Sequence, residues 1–595
     1  MVIRVTINGF VYQIPSDISI MEACEKTGWP LPHLCFLKDI NEIGACRVCV
    51  VEVEGEERLI TACNNKVYPG MVIYTNSPRV QEARRINLQL ILSQHDSHCT
   101  TCSRNGNCAL QQACFDLGIE ESLYRKEVPE NRWPQDFPLI REESKCIKCL
   151  RCVQICDKIQ SLGVWDLVRS GGRTTVSVSG GRHIENADCT VCGQCVTHCP
   201  TGALHGRQDR KRVYPWEKAI NNPETITVVQ VAPAVRAAWG EGLNLSRERA
   251  TPGRLAAALR RCGFNFVFDT NFGADLTVME EASEFLKRMT DGKKHRYPMF
   301  TSCCPGWVRF MKSQYPDMVD ELSTSKSPQG MQATMTKTYF AEKIGVPADK
   351  IFSISIMPCL AKKAEIEIPS LNDAGAGQDL DVSLTTREMI AMIRAQNLDV
   401  DNLPEEPFDS PLGVSTGAGV IFGTTGGVME AALRTGYYLA AGENPNPDAF
   451  KTVLSTGTHP WSEAAYDFAG IPVRTAVVSG LANTRKLIRA LRRGEVHYDF
   501  VEVMACPGGC VGGGGQPIHD GEELAALRGR RLHNLDRMAN IRFSHENPEI
   551  QRLYRDFLGE PLSEKAERYL HTDHHQWQMP LSPHLDEDVE VEPEA

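Results

Sequence analysis

The sequence has no apolar run that calls for a membrane span, and its opening, MVIRVTINGFVYQIP, holds neither the apolar core of a secretory signal nor a twin arginine. The expected location is the cytoplasm, with any export signal left to a partner subunit. Positive charge is in deficit as well: 64 Lys and Arg against 75 Asp and Glu give a net charge of -11. That argues against a general nucleic-acid binder, because phosphate contacts need a basic surface. A dinucleotide fingerprint is also missing. The nearest string, GAGVIFG at Gly417 to Gly423, departs from G-x-G-x-x-G and follows no clear strand. What the chain has in abundance is cysteine, 23 in 595 residues that are 42% hydrophobic and 23% charged, a globular composition with length for three or more domains. In a reducing compartment, clustered C-x2-C spacings read as metal ligation, with a disulfide framework the weaker alternative.

Residues 2 to 14 alternate around Asn8-Gly9, a strong hairpin signal. Asp17 is then expected to cap an apolar-periodic stretch from Ile18 to about Thr27, and a second strand pair crosses Glu54-Gly55. The result is a small β-grasp-like domain with Cys35, Cys46, Cys49 and Cys63 on the loop after the helix and beyond. Cys24, inside the helix, reads as an ordinary core cysteine. A helix-like run from Val80 to Gln94 leads into His95-x3-Cys99-x2-Cys102-x5-Cys108, whose spacing alone also suits structural zinc. From Cys146 the pattern is C-x2-C-x2-C-x3-C (Cys146, Cys149, Cys152, Cys156), repeated as Cys189, Cys192, Cys195 and Cys199-Pro200. This duplication is the bacterial two-cluster ferredoxin pattern. In it the fourth cysteine of each run serves the other cluster, so Cys199 completes the first site and Cys156 the second. Gly171-Gly172 and Gly180-Gly181 mark a hairpin insertion between the halves. Arg207, Arg210, Lys211 and Arg212 read as a solvated linker, with a docking patch as the alternative.

From about residue 215, apolar strand runs alternate with helical segments: Thr227 to Val231, Phe264 to Asp269, Ile351 to Ile356, Arg474 to Val478 and Phe500 to Met504. That alternation predicts α/β layers with parallel sheet. Three strings stand out in this part: TSCCPGW at Thr301 to Trp307, MPCLAKKAE at Met357 to Glu365, and ACPGGCVGGGGQP at Ala505 to Pro517. Their Cys304, Cys359, Cys506 and Cys510 are four thiolates far apart in sequence, a set for one cubane cluster, with Cys303 left over beside it. On the helix around Val278 to Met289, Glu281 lies at the edge of an apolar face, Glu284 lies toward the polar side, and Glu280 points away. Taken alone, two such glutamates read as a solvated face, and for Met357, Met504, Gln329 and Phe422 core packing is the strong alternative. Pro583 to Ala595 is acidic and expected to be disordered. His571, His574 and His575 read as an exposed helix end.

These strings resemble the FeFe hydrogenases, and the match extends over nearly the whole chain. The resemblance implies an H-cluster, a 4Fe-4S cubane bridged through Cys510 to a di-iron unit with CO, cyanide and a dithiolate. It implies a proton relay of Cys303, Glu281, Ser323 and Glu284, with Lys362 at one cyanide and Pro233 with its neighbouring amides at the other. Ala234 stands where some members have serine, so a hydroxyl donor is missing there. Gln329, Met357, Phe422 and Met504 fall in the wall of the di-iron pocket. The glycines around Cys510 let backbone pass close to the cluster. Cys35, Cys46, Cys49 and Cys63 resemble the 2Fe-2S site of the adrenodoxin-like and complex I type. The His95, Cys99, Cys102 and Cys108 motif, lying between iron-sulfur modules, resembles a four-iron site shared with the large iron-sulfur subunit of complex I, and His98 is a decoy off its spacing. A neutral imidazole ligand should raise that cluster's potential.

The expected fold is multi-domain, α+β and α/β. Residues 1–78 form a 2Fe-2S ferredoxin-like domain, 79–138 a histidine-ligated 4Fe-4S domain, 139–212 a two-cluster 4Fe-4S ferredoxin domain, 213–565 the H-cluster domain, and 566–595 a tail whose end is disordered. The implied function is reversible interconversion of H2 with protons and electrons. The cofactors are one 2Fe-2S cluster, three accessory 4Fe-4S clusters and the H-cluster. The implied partners are ferredoxin and/or flavin-containing NAD(P)-binding subunits, and maturation proteins. Two rivals stand beside this reading, and a third, a sensory hydrogenase, lacks a sensor domain and sits poorly with the relay cysteine. A complex I type electron-transfer subunit leaves the three strings of the large domain unexplained. A hydrogenase-like iron-sulfur assembly factor sits poorly with the intact relay and the extra cluster motifs.

Overall fold

The computed structural model describes residues 1–120, 123–130, 132–210, 220, 222–293, 295–451, 459–520 and 522–583. Strands β1 (Val2–Ile7) and β2 (Phe10–Pro15) pair antiparallel across Asn8-Gly9, both of which take the positive φ that a tight hairpin needs. The helix Ile20–Lys26 starts two residues later than the Asp17 cap predicted. Ser19 is its cap, accepting from the Glu22 amide while the Glu22 carboxylate returns a bond to the Ser19 amide. Strands β3 (Val50–Val53), β4 (Ile60–Thr61) and β5 (Val72–Tyr74) complete a mixed sheet of order β2-β1-β5-β3-β4. Its buried face closes on a core of its own, which includes Cys24.

The helix Pro78–Leu92, capped by Ser77, leads to the histidine motif and the short helix Ala109–Asp116. Strands β6 (Leu139–Arg141) and β9 (Leu204–Gly206) then pair antiparallel and bring the two ends of the duplicated cysteine region together. Between the halves, β7 (Trp165–Val168) and β8 (Thr175–Val178) form the expected hairpin. The basic run is not a free linker at Arg207, which is half-buried and ion-paired with Asp209 at 2.9 Å and Glu367 at 2.8 Å. Lys211 and Arg212 lie outside the described residues, as do residues 584–595 of the acidic end.

The large domain holds parallel strands as expected, divided between two sheets. One, of order β11-β10-β13-β14, is parallel throughout: β10 (Ile226–Val231), β11 (Phe266–Asp269), β13 (Ile351–Met357) and β14 (Val382–Thr385). The other has the order β12-β17-β16-β15, with β12 (Met299–Phe300), β16 (Ile471–Ser479) and β17 (Phe500–Met504) parallel and β15 (Ser462–Phe468) antiparallel at its edge. The inner strands β13 and β17 are buried almost throughout, hence their continuous apolar runs. Cys304, Cys359 and Cys506 follow the carboxyl ends of β12, β13 and β17, so both sheets aim their strand ends at one place. The helix Thr270–Thr290 is longer than its periodicity announced and is buried on all sides up to Ala282.

The C-terminal region departs from the sequence reading. The helix Glu564–Leu570 runs across the expected 565/566 boundary. His571 and His574 are packed against residues 323–324 rather than exposed, and only His575 is at the surface. The segment is stitched down by Lys326 N–H to the Leu570 carbonyl (2.7 Å) and Thr572 N–H to the Thr324 carbonyl (2.8 Å). Among the described residues, no helix is long and apolar enough to cross a membrane.

Candidate functional site

One cavity in the large domain is lined by Cys303, Cys304, Cys359, Cys506 and Cys510 together with Pro233, Ala234, Gln329, Met357, Lys362, Phe422 and Met504. Cys304 caps the helix Pro305–Gln314, and Cys510 opens a short turn after Gly508 and Gly509. The glycine loop answers to the protein's own backbone. A Cβ on Gly513 would meet the Pro358 carbonyl oxygen at 2.2 Å, and one on Gly514 the Cys192 carbonyl oxygen at 2.6 Å. The loop therefore lies backbone on backbone between the Cys359 strand end and the ferredoxin module. Desolvation raises the thiols of Cys304, Cys359, Cys506 and Cys510, Cys359 to about 12, and neighbouring cysteines push the last three further. Thiols so placed become thiolates only with a positive centre between them.

Burial also holds the Cys303 thiol well above its usual range, with the charge of Glu281 the next cause. Glu281 is fully buried and pushed up to about 8 by desolvation and then by Glu284. Neither of its carboxylate oxygens makes a well-formed hydrogen bond, although the Ser302 backbone and the Ser323 hydroxyl lie close by. Ser323 Oγ donates to Glu284 Oε2 at 2.6 Å, and Glu284 is half-buried beside the exposed Thr324. Cys303, Glu281, Ser323 and Glu284 thus run from the cavity towards the surface. Lys362 Nζ donates to Glu365 (2.9 and 3.0 Å) and to the Cys303 carbonyl (3.3 Å), and Gln329 Nε2 donates to Glu365 at 2.7 Å.

Most of the other cysteines gather in four groups. Cys146, Cys149, Cys152 and Cys199 line a second, small cavity, the crossed set expected from the duplication. Cys156 and Cys195 are raised first by burial and then by the charges of Cys192 and Cys189. Hydrogen bonds among thiols drive Cys35 and Cys49 down and Cys46 and Cys63 up, so these four sulfurs act on one another. At the histidine motif Cys108 feels Cys102, and the buried His95 has an Nδ1 without a partner. His98 is exposed and paired with Asp96. Cys114, unassigned in the sequence, lies within reach of Cys108 and Cys99.

These groups adjoin. The fully buried Asn41 donates to the carbonyls of both Cys35 (2.7 Å) and Cys149 (2.9 Å). Cys108 Sγ lies 3.6 Å from the Pro200 carbonyl, and the Cys192 carbonyl lies 3.9 Å from Cys506 Sγ.

Residues 225–514 match the family described as iron only hydrogenase large subunit, C-terminal domain, and residues 522–577 match iron hydrogenase small subunit. The NADP-reducing hydrogenase subunit HndD of Solidesulfovibrio fructosivorans is 44% identical over 583 residues, covering 96% of this chain and 98% of that protein. The chain belongs to the iron-only, or FeFe, hydrogenases. Iron hydrogenase 1 of Clostridium pasteurianum is 35% identical to this hydrogenase over 575 residues, 95% of this chain and 99% of that one. A solved apo form of the [FeFe]-hydrogenase HydA1 from Chlamydomonas reinhardtii superposes with a TM-score of 0.54 at 41% identity, over 62% of this chain and 98% of that one. Upstream, residues 1–78 match a 2Fe-2S iron-sulfur cluster binding domain, 84–122 the NADH-ubiquinone oxidoreductase-G iron-sulfur binding region, and 145–203 a 4Fe-4S dicluster domain.

This hydrogenase is therefore an oxidoreductase acting on H2, with iron-sulfur clusters and an H-cluster, and the donor set fits that cofactor. Four convergent thiols suit the cubane, and the apolar wall of Met357, Phe422 and Met504 suits a shielded di-iron unit. Sequence reasoning missed Glu365, although its i+3 spacing from Lys362 was readable as an ion pair. It also missed Glu502, fully buried and raised to about 7 by desolvation, which accepts from the Gly426 and Met429 amides at 2.7 Å. A charge inside the apolar strand run FVEVM was the available signal.

Proposed function

We propose that Cys304, Cys359, Cys506 and Cys510 of this hydrogenase would hold the cubane of the H-cluster, Cys510 being the one that would also serve the di-iron unit. The observation that carries the reading is the convergence of these four thiols, plus the non-ligand Cys303, on one cavity. When bound, the H-cluster supplies H2 activation and takes up the electron pair. Cys303 receives the proton released in a dry site, and Glu281, with a pKa of about 8, takes and gives a proton near neutral pH. The Ser323 hydroxyl passes it to Glu284. Lys362 and the amides of the Pro233 turn would be the residues to hold the cofactor's cyanides, and the alanine at position 234 would bring no hydroxyl there. Gln329, Met357, Phe422 and Met504 keep bulk water out.

Four accessory clusters carry the electrons: a 2Fe-2S cluster on Cys35, Cys46, Cys49 and Cys63, and 4Fe-4S clusters on three sets. These sets are His95, Cys99, Cys102 and Cys108; Cys146, Cys149, Cys152 and Cys199; and Cys156, Cys189, Cys192 and Cys195. The Asn41 bridge and the Cys108 to Pro200 contact support two entry branches that join at the Cys146 group. The Cys192 to Cys506 contact supports the last step. The domain boundaries follow the sequence reading, with the tail's helix counted in the H-cluster domain. Because the relative HndD is named as a subunit of an NADP-reducing hydrogenase, we read the chain as the H2-converting subunit of a cytoplasmic NAD(P)-linked complex. Its partners are flavin-containing subunits, ferredoxin and the maturation proteins. Elemental analysis of matured protein tests the inventory: about 20 irons per chain and no zinc are expected. One zinc with about four fewer irons would overturn the assignment at His95.

A further inference from the structure

Beyond Glu284 the hydrogen-bonded line does not stop at solvent. Thr324 donates to Glu284 Oε1 through its amide (3.0 Å) and its hydroxyl (3.1 Å), and the same hydroxyl lies 2.8 Å from His571 Nδ1. His571 Nε2 is 3.0 Å from Oε2 of Glu280. Glu280 is completely buried, and its carboxylate also accepts from the Leu562 amide at 2.9 Å and from the Tyr554 hydroxyl. The contact between Thr324 and His571 is not a chance meeting of two loose side chains. Residues 325 and 571 form an antiparallel bridge, and backbone bonds on either side fix the two segments in register. Tyr554, Leu562 and His571 all come from the small-subunit-like stretch 522–577.

Counting hydrogens shows what this arrangement does. An ionised carboxylate only accepts, and a threonine hydroxyl has one hydrogen to give. If Thr324 gives it to Glu284, Nδ1 of His571 must itself donate, and with Nε2–H on Glu280 the ring then carries two protons. If Nδ1 is bare, the Thr324 hydrogen turns to it, and Glu284 Oε1 keeps only the Thr324 amide. One hydroxyl hydrogen is therefore contested between Glu284 and His571.

We propose that His571 is a further proton acceptor of the relay, exchanging with Glu284 through the Thr324 hydroxyl, while Glu280 holds the ring and balances its charge. In the step from Glu284, the protonated carboxyl gives its hydrogen to Thr324 Oγ1 as Thr324 gives its own to His571 Nδ1. The products are a Glu284 carboxylate and an imidazolium facing Glu280, so one proton moves and no electron does. Glu280 acts as the carboxylate that orients a histidine and stabilises its charged form. The other titratable neighbours are Tyr554, which bonds Glu280, and His574, which is turned to the Ser323 carbonyl. The C-terminal stretch thereby gains a role in proton transfer.

This inference rests on the Cys303-to-Glu284 relay, and the tests separate the two. In viologen-linked H2 assays of matured full-length protein with unchanged iron content, His571→Gln and Thr324→Val should each lower turnover by about tenfold or more. Free imidazole should restore a His571→Gly variant but not Thr324→Val, and Thr324→Ser, which keeps the hydroxyl, should stay near the wild-type rate. A merely structural histidine would show no imidazole rescue. The proposal is overturned if His571→Gln turns over within about twofold of wild type, if imidazole fails to restore His571→Gly, or if Thr324→Ser is as slow as Thr324→Val. An inactive, fully matured wild type would overturn the relay along with it.

Discussion

On the proposed assignments, electrons and protons leave the same cavity by routes built on different principles. On the electron side, cysteine groups are set by short local spacings and joined through backbone carbonyls: Asn41 between Cys35 and Cys149, Cys108 on Pro200, and Cys192 on Cys506. On the proton side, Glu281 and Glu284 come from one helix, Ser323 and Thr324 from a loop, and His571 from near the chain's end. An accessory cluster draws most of its donors from one short run, so its module is largely locally encoded, whereas the cubane draws Cys304, Cys359, Cys506 and Cys510 from strand ends across the large domain. A proton relay needs only successive donors and acceptors within hydrogen-bond reach, and any fold contact can supply one.

The difference can be broken first at the point where the routes part. Cys303→Ala removes a proton acceptor and no metal ligand, so we expect turnover to fall by roughly 10² to 10⁴ with the iron content unchanged. Near wild-type rates would mean that protons leave elsewhere and that Cys303 is a buried thiol.

A subtler contrast lies in pH. Glu281 titrates at about 8 in the folded protein against about 4.5 when free. Between those values the native state holds a proton that the unfolded chain has lost, so stability falls as pH rises through that window. Glu281→Gln should flatten the slope, which denaturant melts of the unmatured protein at several pH values would detect. An unchanged slope would show that Glu281 is not the buried acid described.

The smallest effect is expected at the electron side's seam. Asn41→Leu strands the Cys35 and Cys149 carbonyls, at a cost of about 1–3 kcal/mol. Melting of the N-terminal domain should move while viologen-linked turnover, which bypasses that domain, stays. A shift of the large domain's transition instead would show that Asn41 does not act at this seam.

The same contrast explains what could be read from the sequence. The N-terminal hairpin, the duplicated cysteine runs and the strands that deliver Cys304, Cys359 and Cys506 are all local patterns. Ser19 displaced Asp17 as the cap because Ser19 and Glu22 can bond each other reciprocally, a competition between near-equal signals. The division into two sheets stayed hidden because strand runs do not reveal their neighbours. Glu280 read as pointing away from the apolar face, yet it is buried under residues more than 270 positions later, where Tyr554, Leu562 and His571 bond it. The three C-terminal histidines looked like an exposed end for the same reason. The glycine-rich GAGVIFG stretch is explained by packing, since a Cβ on Gly419 would meet the Asn271 carbonyl oxygen at 2.6 Å.

The infrared spectrum of the chain matured with its assembly enzymes bears most directly on the central claim, that the Cys304, Cys359, Cys506 and Cys510 cavity houses an H-cluster. CO and cyanide stretching bands are predicted, and they should persist in Cys303→Ala, which lacks no ligand. Protein with its accessory clusters loaded but without those bands would contradict the account.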